Sequence, residues 1–191
     1  MLGRRNQKGR KMFKFNTQKF NTLAVVLAVL TIVYTAPTLS REFVTTATQK
    51  QVAADYQKQV ECLAKNIYYE SAGETYEGKL AVAQVTLNRV NSGIFPKDIC
   101  SVVYQKTTDQ NLRTVCQFSW TCMVKEMVHI HDRYRWEESL LIAKRALTVP
   151  ILHDKIAETN ALYYHATYVN PGWNRNKVVT KIGNHIFYSR I

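Results

Sequence analysis

Residues 62–90, CLAKNIYYESAGETYEGKLAVAQVTLNRV, contain the end of one apolar helical pattern, a break, and a second apolar helical pattern. In the first pattern, apolar residues recur at steps of three and four and predict a helix that runs from about Gln51 to Glu70. These residues are Val52, Tyr56, Val60, Leu63, Ala64 and Ile67. Ser71-Ala72-Gly73 interrupts the pattern, and Thr75 is a suitable N-cap for a second helix that ends at Asn91-Ser92-Gly93. The stretch therefore predicts two consecutive helices, with Glu70 at the end of the first.

Downstream of this stretch, the sequence predicts two more helices and a small sheet. Pro96 is expected as the first residue of a short helix, and residues 136–147 form a helical pattern with acidic residues early and basic residues late. Three tail segments are rich in β-branched or aromatic side chains, namely residues 161–164, 178–182 and 185–188. The predicted fold class is α+β: a mainly helical domain with a small C-terminal antiparallel sheet.

The N-terminal region has the composition of an export segment. Seven lysines and arginines and no acidic residue lie before residue 20, and residues 23–34 form an apolar run. The run is shorter than the roughly 20 residues that cross a bilayer as a comfortable helix, so a cleaved signal peptide is the simpler interpretation. Because no clean small-x-small cleavage site follows, an uncleaved signal anchor stays open. We expect residues 1–36 to be this segment, residues 37–50 a linker rich in Thr and Ser, and residues 51–191 one domain.

The four cysteines, Cys62, Cys100, Cys116 and Cys122, are expected to form disulfides because an exported chain enters an oxidising compartment. Three pairings are possible. The short separation of Cys116 from Cys122 favours a local loop, which leaves Cys62 to pair with Cys100. No spacing matches a paired CxxC zinc site, and the His129-Ile130-His131-Asp132 cluster lacks a third identified ligand. We therefore expect no metal and no cofactor.

Glu70 lies at the end of an apolar helix, next to Tyr68 and Tyr69. A carboxyl group among aromatic side chains is poorly solvated, so its charged form is disfavoured and it can keep a proton near neutral pH. Such a group can serve as the general acid of glycosidic cleavage. A glutamate at a helix end is more often a solvated surface residue. The local sequence therefore makes the acid role possible without assigning it.

The order of several motifs extends this interpretation. Residues 62–90 closely resemble the opening motif of the SleB-type cell-wall hydrolase family, the spore cortex-lytic enzymes and their relatives in other bacteria and phages. Later segments resemble the family's further motifs in the same order: Phe95-Pro96 with residues 99–104, Gln117-Phe118-Ser119-Trp120, Tyr163-Tyr164-His165-Ala166, Val169-Asn170-Pro171-Gly172-Trp173, and residues 182–188. The resemblance covers residues 60–190, which is nearly the whole expected domain.

This resemblance implies a lysozyme-like fold and a catalytic domain that cleaves peptidoglycan between N-acetylmuramic acid and N-acetylglucosamine. It implies Glu70 as general acid and then base in a lytic transglycosylase reaction, in which the muramyl C6 hydroxyl attacks and leaves a 1,6-anhydro end. The alternatives are a hydrolysing muramidase or glucosaminidase, and a non-catalytic wall-binding or virion structural protein. The biological setting is cell-wall remodelling or, as an endolysin, phage-mediated lysis.

Seven further residues are candidates for substrate binding around Glu70: Glu74, Gln117, Ser119, Tyr164, His165, Trp173 and His185. In an extended segment Gln117 and Ser119 would face one way, which suits sugar hydroxyls and acetamides, although an ordinary half-buried strand has the same pattern. Glu74 is expected to support the site geometry or to cap the next helix. The two histidines lie on stretches expected to pair, and Trp173 is expected to stack on a sugar ring or to pack.

The charge distribution limits the classes of binding partner that we expect. The formal net charge is +12, but much of the excess precedes the apolar run instead of forming an interleaved basic face, so we expect no nucleic-acid partner. Positive charge suits an anionic cell envelope. We expect peptidoglycan as the partner, contact with the inner membrane either transiently or through an N-terminal anchor, and a monomer located in the periplasm or cell envelope.

Overall fold

This computed structural model describes residues 17–123, 129–149, 156 and 160–189. The chain divides into two compact units, Met1–Gln51 and Val52–Ile191. The first helix, α1, spans Thr17–Ser71 and supplies the described residues of the first unit. Within the described part of the chain, no helix is both long enough and apolar enough to cross a membrane. The basic residues at positions 4–14 lie outside the described residues.

Residues 37–50, expected as a linker, are helical within α1. Threonine and serine are only modestly weaker helix formers than alanine, and adding a residue to an existing helix is far easier than starting one. A segment that lacks an apolar face can therefore continue a helix. The assignment of residues 1–36, 37–50 and 51–191 to an export segment, a linker and a catalytic domain remains a prediction.

Two helices with the expected break between them form the centre of the second unit. In α1, Val60, Leu63 and Ile67 are fully buried, whereas Val52 is exposed and begins the stripe outside the core. The second helix, α2, spans Tyr76–Asn91, and its N-cap Thr75 accepts a hydrogen bond from the Gly78 backbone at 3.3 Å. The predicted cap and break are thus confirmed.

Two shorter elements differ from the expectation at their first residue. Helix α3 spans Ile99–Val103 and not from Pro96, because the Asp98 side chain caps it by accepting from the Ser101 N–H at 2.9 Å. Helix α4 spans Arg133–Thr148 and is capped by Asp132. The described core cluster draws on α1, α2, α3 and α4 and on the two aromatic side chains of residues 118 and 120.

The strands form two small antiparallel sheets. The first pairs β1 (Lys106–Thr108) with β2 (Thr114–Cys116). The second contains β3 (Tyr163–Ala166), β4 (Val178–Ile182) and β5 (His185–Tyr188), as predicted for the tail, and its strand order is β3-β5-β4. The α+β class, mainly helical with small antiparallel sheets, is confirmed.

The segment after β2 is not extended. Ser119–Cys122 form a 3₁₀ helix, η1, and Arg175–Lys177 form a second one, η2, before β4. The cause of the first turn is the disulfide between Cys116 and Cys122, whose Cα atoms are 5.9 Å apart, whereas six extended residues would span about 20 Å. The segment was expected to be extended, which is wrong, but the expected alternation of buried and exposed side chains is present: Phe118 and Trp120 are buried and Ser119 is exposed.

Both favoured disulfides are present, Cys62–Cys100 and Cys116–Cys122. The first joins α1 to α3 within the core, and the second closes the loop that carries η1. A buried polar contact completes this region: Asn66 donates to the Thr86 hydroxyl and accepts from the Trp120 indole N–H, each at 3.2 Å. These contacts tie η1 to both central helices.

Replacing Cys62 and Cys100 by alanine is expected to lower the free energy of unfolding more than replacing Cys116 and Cys122. The two bridges close loops with sequence separations of 38 and 6 residues. The constraint on the unfolded chain grows with the logarithm of loop length, which gives about 4 against about 2 kcal/mol. Urea unfolding of both double variants measures the difference. Equal losses, or a larger loss at the shorter loop, would contradict the expectation.

Candidate active site

Glu70 lies in the wall of a cavity of about 310 Å³. It is the penultimate residue of α1, directly before the break that redirects the chain into α2. The described residues that line the cavity with it are Arg89, Gln117, Phe118, Tyr163, Tyr164 and Trp173. Four of these six are aromatic, so aromatic rings form much of the wall around the carboxyl group.

The Tyr164 hydroxyl donates a hydrogen bond to Glu70 Oε2 at 3.0 Å. Burial raises the pKa of Glu70 because desolvation disfavours the carboxylate, while the Tyr164 hydrogen bond and the charge of Arg89 oppose the shift by lowering it. The pKa of Tyr164 lies well above its usual value, because its hydroxyl is desolvated and the carboxylate of Glu70 disfavours a second negative charge. Tyr164 is therefore a permanent donor, and Glu70 keeps its proton to a higher pH than an exposed glutamate.

Arg89 is a residue of this cavity that the sequence-based reasoning missed. Its side chain is 3% exposed, and its Nε donates to the Leu162 carbonyl at 2.7 Å. The guanidinium carbon lies 5.2, 5.1 and 5.8 Å from the ring centroids of Phe95, Phe118 and Tyr163. A signal existed in the sequence, since Arg89 follows the buried Val82 and Val85 at helical spacing and so falls on the same face of α2.

Gln117 and Trp173, two of the expected binding residues, line the cavity, whereas Ser119 is exposed on η1 and is not among the described lining residues. The Trp173 ring packs edge-on against Tyr163 at 6.0 Å and against Tyr188 at 5.3 Å. The indole therefore has both a packing role and a surface in the cavity. Both expected alternatives for Trp173 are compatible with this position.

His165 belongs to the sheet and not to the cavity wall. Its Nδ1 lies 2.8 Å from the Ala166 carbonyl, which can only accept, so this nitrogen is the donor. Its Nε2 lies 2.9 Å from the Tyr188 hydroxyl. With both ring nitrogens engaged inside the sheet, His165 holds the β3–β5 pairing next to Tyr164.

Glu74 and His185 connect the α1–α2 loop to the sheet that contains Tyr164. Glu74 accepts hydrogen bonds from the Asn184 backbone N–H at 3.0 Å and from the Asn184 side chain at 3.1 Å. Gly183, with a φ of +54°, turns the chain so close to the Glu74 carboxyl group that a Cβ atom there would displace it from Asn184. The β4–β5 turn is thereby fastened to the α1–α2 connection.

His185, on β5, contacts both Tyr164 and Glu74. Its ring is edge-on to Tyr164 at 5.2 Å, and its Nδ1 lies 3.9 Å from Glu74 Oε1. Burial lowers the pKa of His185, and although Glu74 raises it and His165 lowers it further, the first effect is the largest. The imidazole is therefore neutral at neutral pH, and its contact with Glu74 is not an ion pair there.

The His129–Asp132 cluster has structural contacts. The backbone N–H groups of His131 and Asp132 donate to the Tyr68 hydroxyl at 3.2 and 3.1 Å, and the Asp132 side chain caps α4. Within the ranges that the structure describes, no three His, Cys, Asp or Glu side chains form a group suited to a metal ion. The expectation of no metal and no cofactor stays a prediction.

A family model described as Cell Wall Hydrolase matches residues 73–188, which is more than half of the chain. The chain belongs to the cell wall hydrolase family. The predicted family is thus confirmed. Glu70 lies just before the first matched position, so its role in this cell wall hydrolase rests on the cavity and remains a prediction.

Known relatives of this cell wall hydrolase include two spore cortex-lytic enzymes. The one from Oceanobacillus iheyensis is 28% identical over 133 residues, which cover 69% of this chain and 41% of the relative. The one from Bacillus subtilis is 28% identical over 131 residues, which cover 67% of this chain and 36% of the relative. The crystal structure of the catalytic domain of the Bacillus cereus SleB protein is 27% identical, covers 70% of this chain and 91% of that chain, and gives a TM-score of 0.44. The chain spans less than half the length of the two curated relatives.

In this cell wall hydrolase, replacing Tyr164 by phenylalanine is expected to raise the pKa of Glu70. The variant loses the donor that stabilises the carboxylate but keeps the ring that desolvates it. Carbon-detected NMR titration of the glutamate carboxyl groups, with the Glu70 signal assigned by its loss in Glu70→Gln, measures the shift. Tyr163→Phe is the matched control, since it removes a neighbouring hydroxyl of the same cavity. A Glu70 pKa that is unchanged or lowered in Tyr164→Phe would contradict the expectation.

Proposed function

We propose that this protein cleaves the glycan strands of peptidoglycan between N-acetylmuramic acid and N-acetylglucosamine as a lytic transglycosylase. Glu70 is its general acid and base. The observation that carries the proposal is a single carboxyl group in an aromatic cavity: among the described lining residues, Glu70 is the only acid, and its pKa is raised. Membership of the cell wall hydrolase family supports the substrate class.

The reaction needs one group that gives and then takes a proton. Protonated Glu70 donates to the glycosidic oxygen as the bond from that oxygen to the muramyl anomeric carbon breaks. The resulting carboxylate then accepts the proton of the muramyl C6 hydroxyl, whose oxygen bonds to the anomeric carbon. The products are a 1,6-anhydro-muramyl end and a free N-acetylglucosamine hydroxyl, and Glu70 is protonated again.

The surroundings of Glu70 favour this route over hydrolysis. Glycosidases of the common retaining and inverting types use two carboxyl groups on either side of the bond. Glu74, the nearest acid along the chain, has its oxygens engaged by Asn184 and is not among the described lining residues. We assign Glu74, His165 and His185 to positioning and Gln117, Tyr164 and Trp173 to the substrate side of the cavity. We assign the exposed Ser119 to a substrate contact outside the cavity.

The variant Glu70→Gln is expected to lose at least about 100-fold in activity on purified peptidoglycan, because the amide cannot donate an acidic proton. Glu77→Gln is the control, since it makes the same substitution at an exposed position in the first turn of α2. Wild-type kcat/KM is expected to fall as pH rises through the raised pKa of Glu70, above the range of an exposed glutamate.

Mass spectrometry of the digest identifies the reaction. Anhydro-muramyl ends are the expected product of the wild-type protein. Reducing muramyl ends would make the protein a hydrolysing muramidase, and near wild-type cleavage by Glu70→Gln would remove Glu70 from the mechanism.

The protein is proposed to act outside the cytoplasm, in wall remodelling or in phage-mediated lysis. The basic segment before the apolar run and the two disulfides support export. Fractionation of cells that express the full chain, with labelling of free thiols, is expected to find it in the envelope without reactive cysteines. The mass of the envelope protein tells a cleaved signal from an anchor, and a cytoplasmic protein with four labelled thiols would refute export.

A further inference from the structure

Arg89 is a buried cation with an unpaired hydrogen-bond donor. Its Nη1 is buried without a hydrogen-bond partner, although Nε is bonded to the Leu162 carbonyl. Among the described ion pairs none includes Arg89. A guanidinium group in this state is costly, and an apolar side chain of similar volume would fill the same space at less cost. The aromatic faces around it offset part of that cost.

Arg89 shares its cavity with one carboxyl group, that of Glu70, among the described lining residues. Arg89 projects from α2 and Glu70 from α1 into the walls of the same cavity. Besides burial, the groups that act on Glu70 are the Tyr164 hydroxyl of β3 and then Arg89, and those that act on Arg89 are Tyr164 and Tyr163 of β3 and then Glu70. When Glu70 is protonated, no member of this group of four carries a negative charge.

We infer that Arg89 is a positioning residue that acts through Glu70: it is the resident counter-charge for the carboxylate that Glu70 becomes when its proton passes to the leaving oxygen. The inference rests on the proposed function. Desolvation alone makes Glu70 hold its proton but also makes the carboxylate expensive to form. A fixed cation in the same low-dielectric space stabilises that carboxylate without reorganisation during the reaction. The cavity can then support both the acid step and the base step.

The positive charge of Arg89 determines the direction in which the pKa of Glu70 should change when Arg89 is replaced. Removing the cation leaves desolvation less opposed, so the pKa of Glu70 rises further and the acid becomes weaker. The limb of kcat/KM that falls with pH should move to higher pH, while kcat falls at its optimum. KM should change little, because the role concerns a state formed after binding.

Two substitutions at this position separate charge from hydrogen bonding. Arg89→Gln removes the charge and keeps an amide donor that can serve the Leu162 carbonyl, whereas Arg89→Lys keeps the charge. The matched control is Asn88→Ala, because Asn88 donates to the Ile156 and Ala161 carbonyls at 3.0 Å each and so anchors the same approach to β3 without a charge. Thermal unfolding establishes that each variant is folded.

The test is the Glu70 carboxyl titration by NMR together with the pH profile of peptidoglycan cleavage. We expect Arg89→Gln to raise the pKa of Glu70 and to lower kcat by about tenfold or more with KM within about twofold. Arg89→Lys should keep both close to wild type. Asn88→Ala should lower the unfolding temperature and leave the pKa and the position of the limb unchanged.

The two failures are distinguishable. If Arg89→Gln leaves the pKa of Glu70 unchanged, or if Arg89→Lys behaves like Arg89→Gln, the counter-charge role is overturned whatever the reaction. If the titration shows the coupling but Glu70→Gln still cleaves peptidoglycan, the proposed function fails and the electrostatic pair stands. If Asn88→Ala also shifts the falling limb of the kcat/KM pH profile, the effect of Arg89 is explained by its contact with the approach to β3, and the counter-charge role is overturned.

Discussion

The hydrogen bond from Tyr164 to Glu70 joins two residues that are 94 positions apart. It requires α1 to end at the cavity and β3 to lie opposite, so it forms only when the helical core and the C-terminal sheet are both in place. The remaining long-range contacts of the site maintain this pairing. Arg89 holds the residue before β3, and the bond between Glu74 and Asn184 fastens the turn that leads into β5.

The cavity sets the chemistry of Glu70 by a balance of opposing effects. Aromatic walls remove water and favour the neutral acid, while one hydroxyl and one guanidinium favour the carboxylate. An acid that only gives up a proton would need the first effect alone. A group that must donate and then accept within one turnover needs a pKa between the two extremes, and the cavity contains contributions of both kinds.

Periodicity and capping residues predicted the helices, because both are local properties of the chain. Pro96 shows the limit: proline is compatible with a helix start, but the Asp98 carboxylate provides a better cap two residues later. The turn at Ser119 depended on the bridge from Cys116 to Cys122, a pairing that spacing favoured without fixing the backbone. Arg89 was overlooked because an arginine near a helix end is usually solvated, although its spacing from Val82 and Val85 placed it on the apolar face of α2. The rings that bury it come from other elements.

Glu70 and Glu74 are one helical turn apart in sequence, yet their surroundings give them different chemistry. The break after Ser71 takes Glu74 off the helix, where two N–H groups of Asn184 donate to its side-chain oxygens. Glu70 stays on the helix and faces aromatic rings with a single donor. Because environment and not residue type sets the role of a carboxyl group, the break separates a carboxyl group with structural contacts from the one proposed as the acid. The buried Arg89 then acts on the acid that lacks its own set of donors.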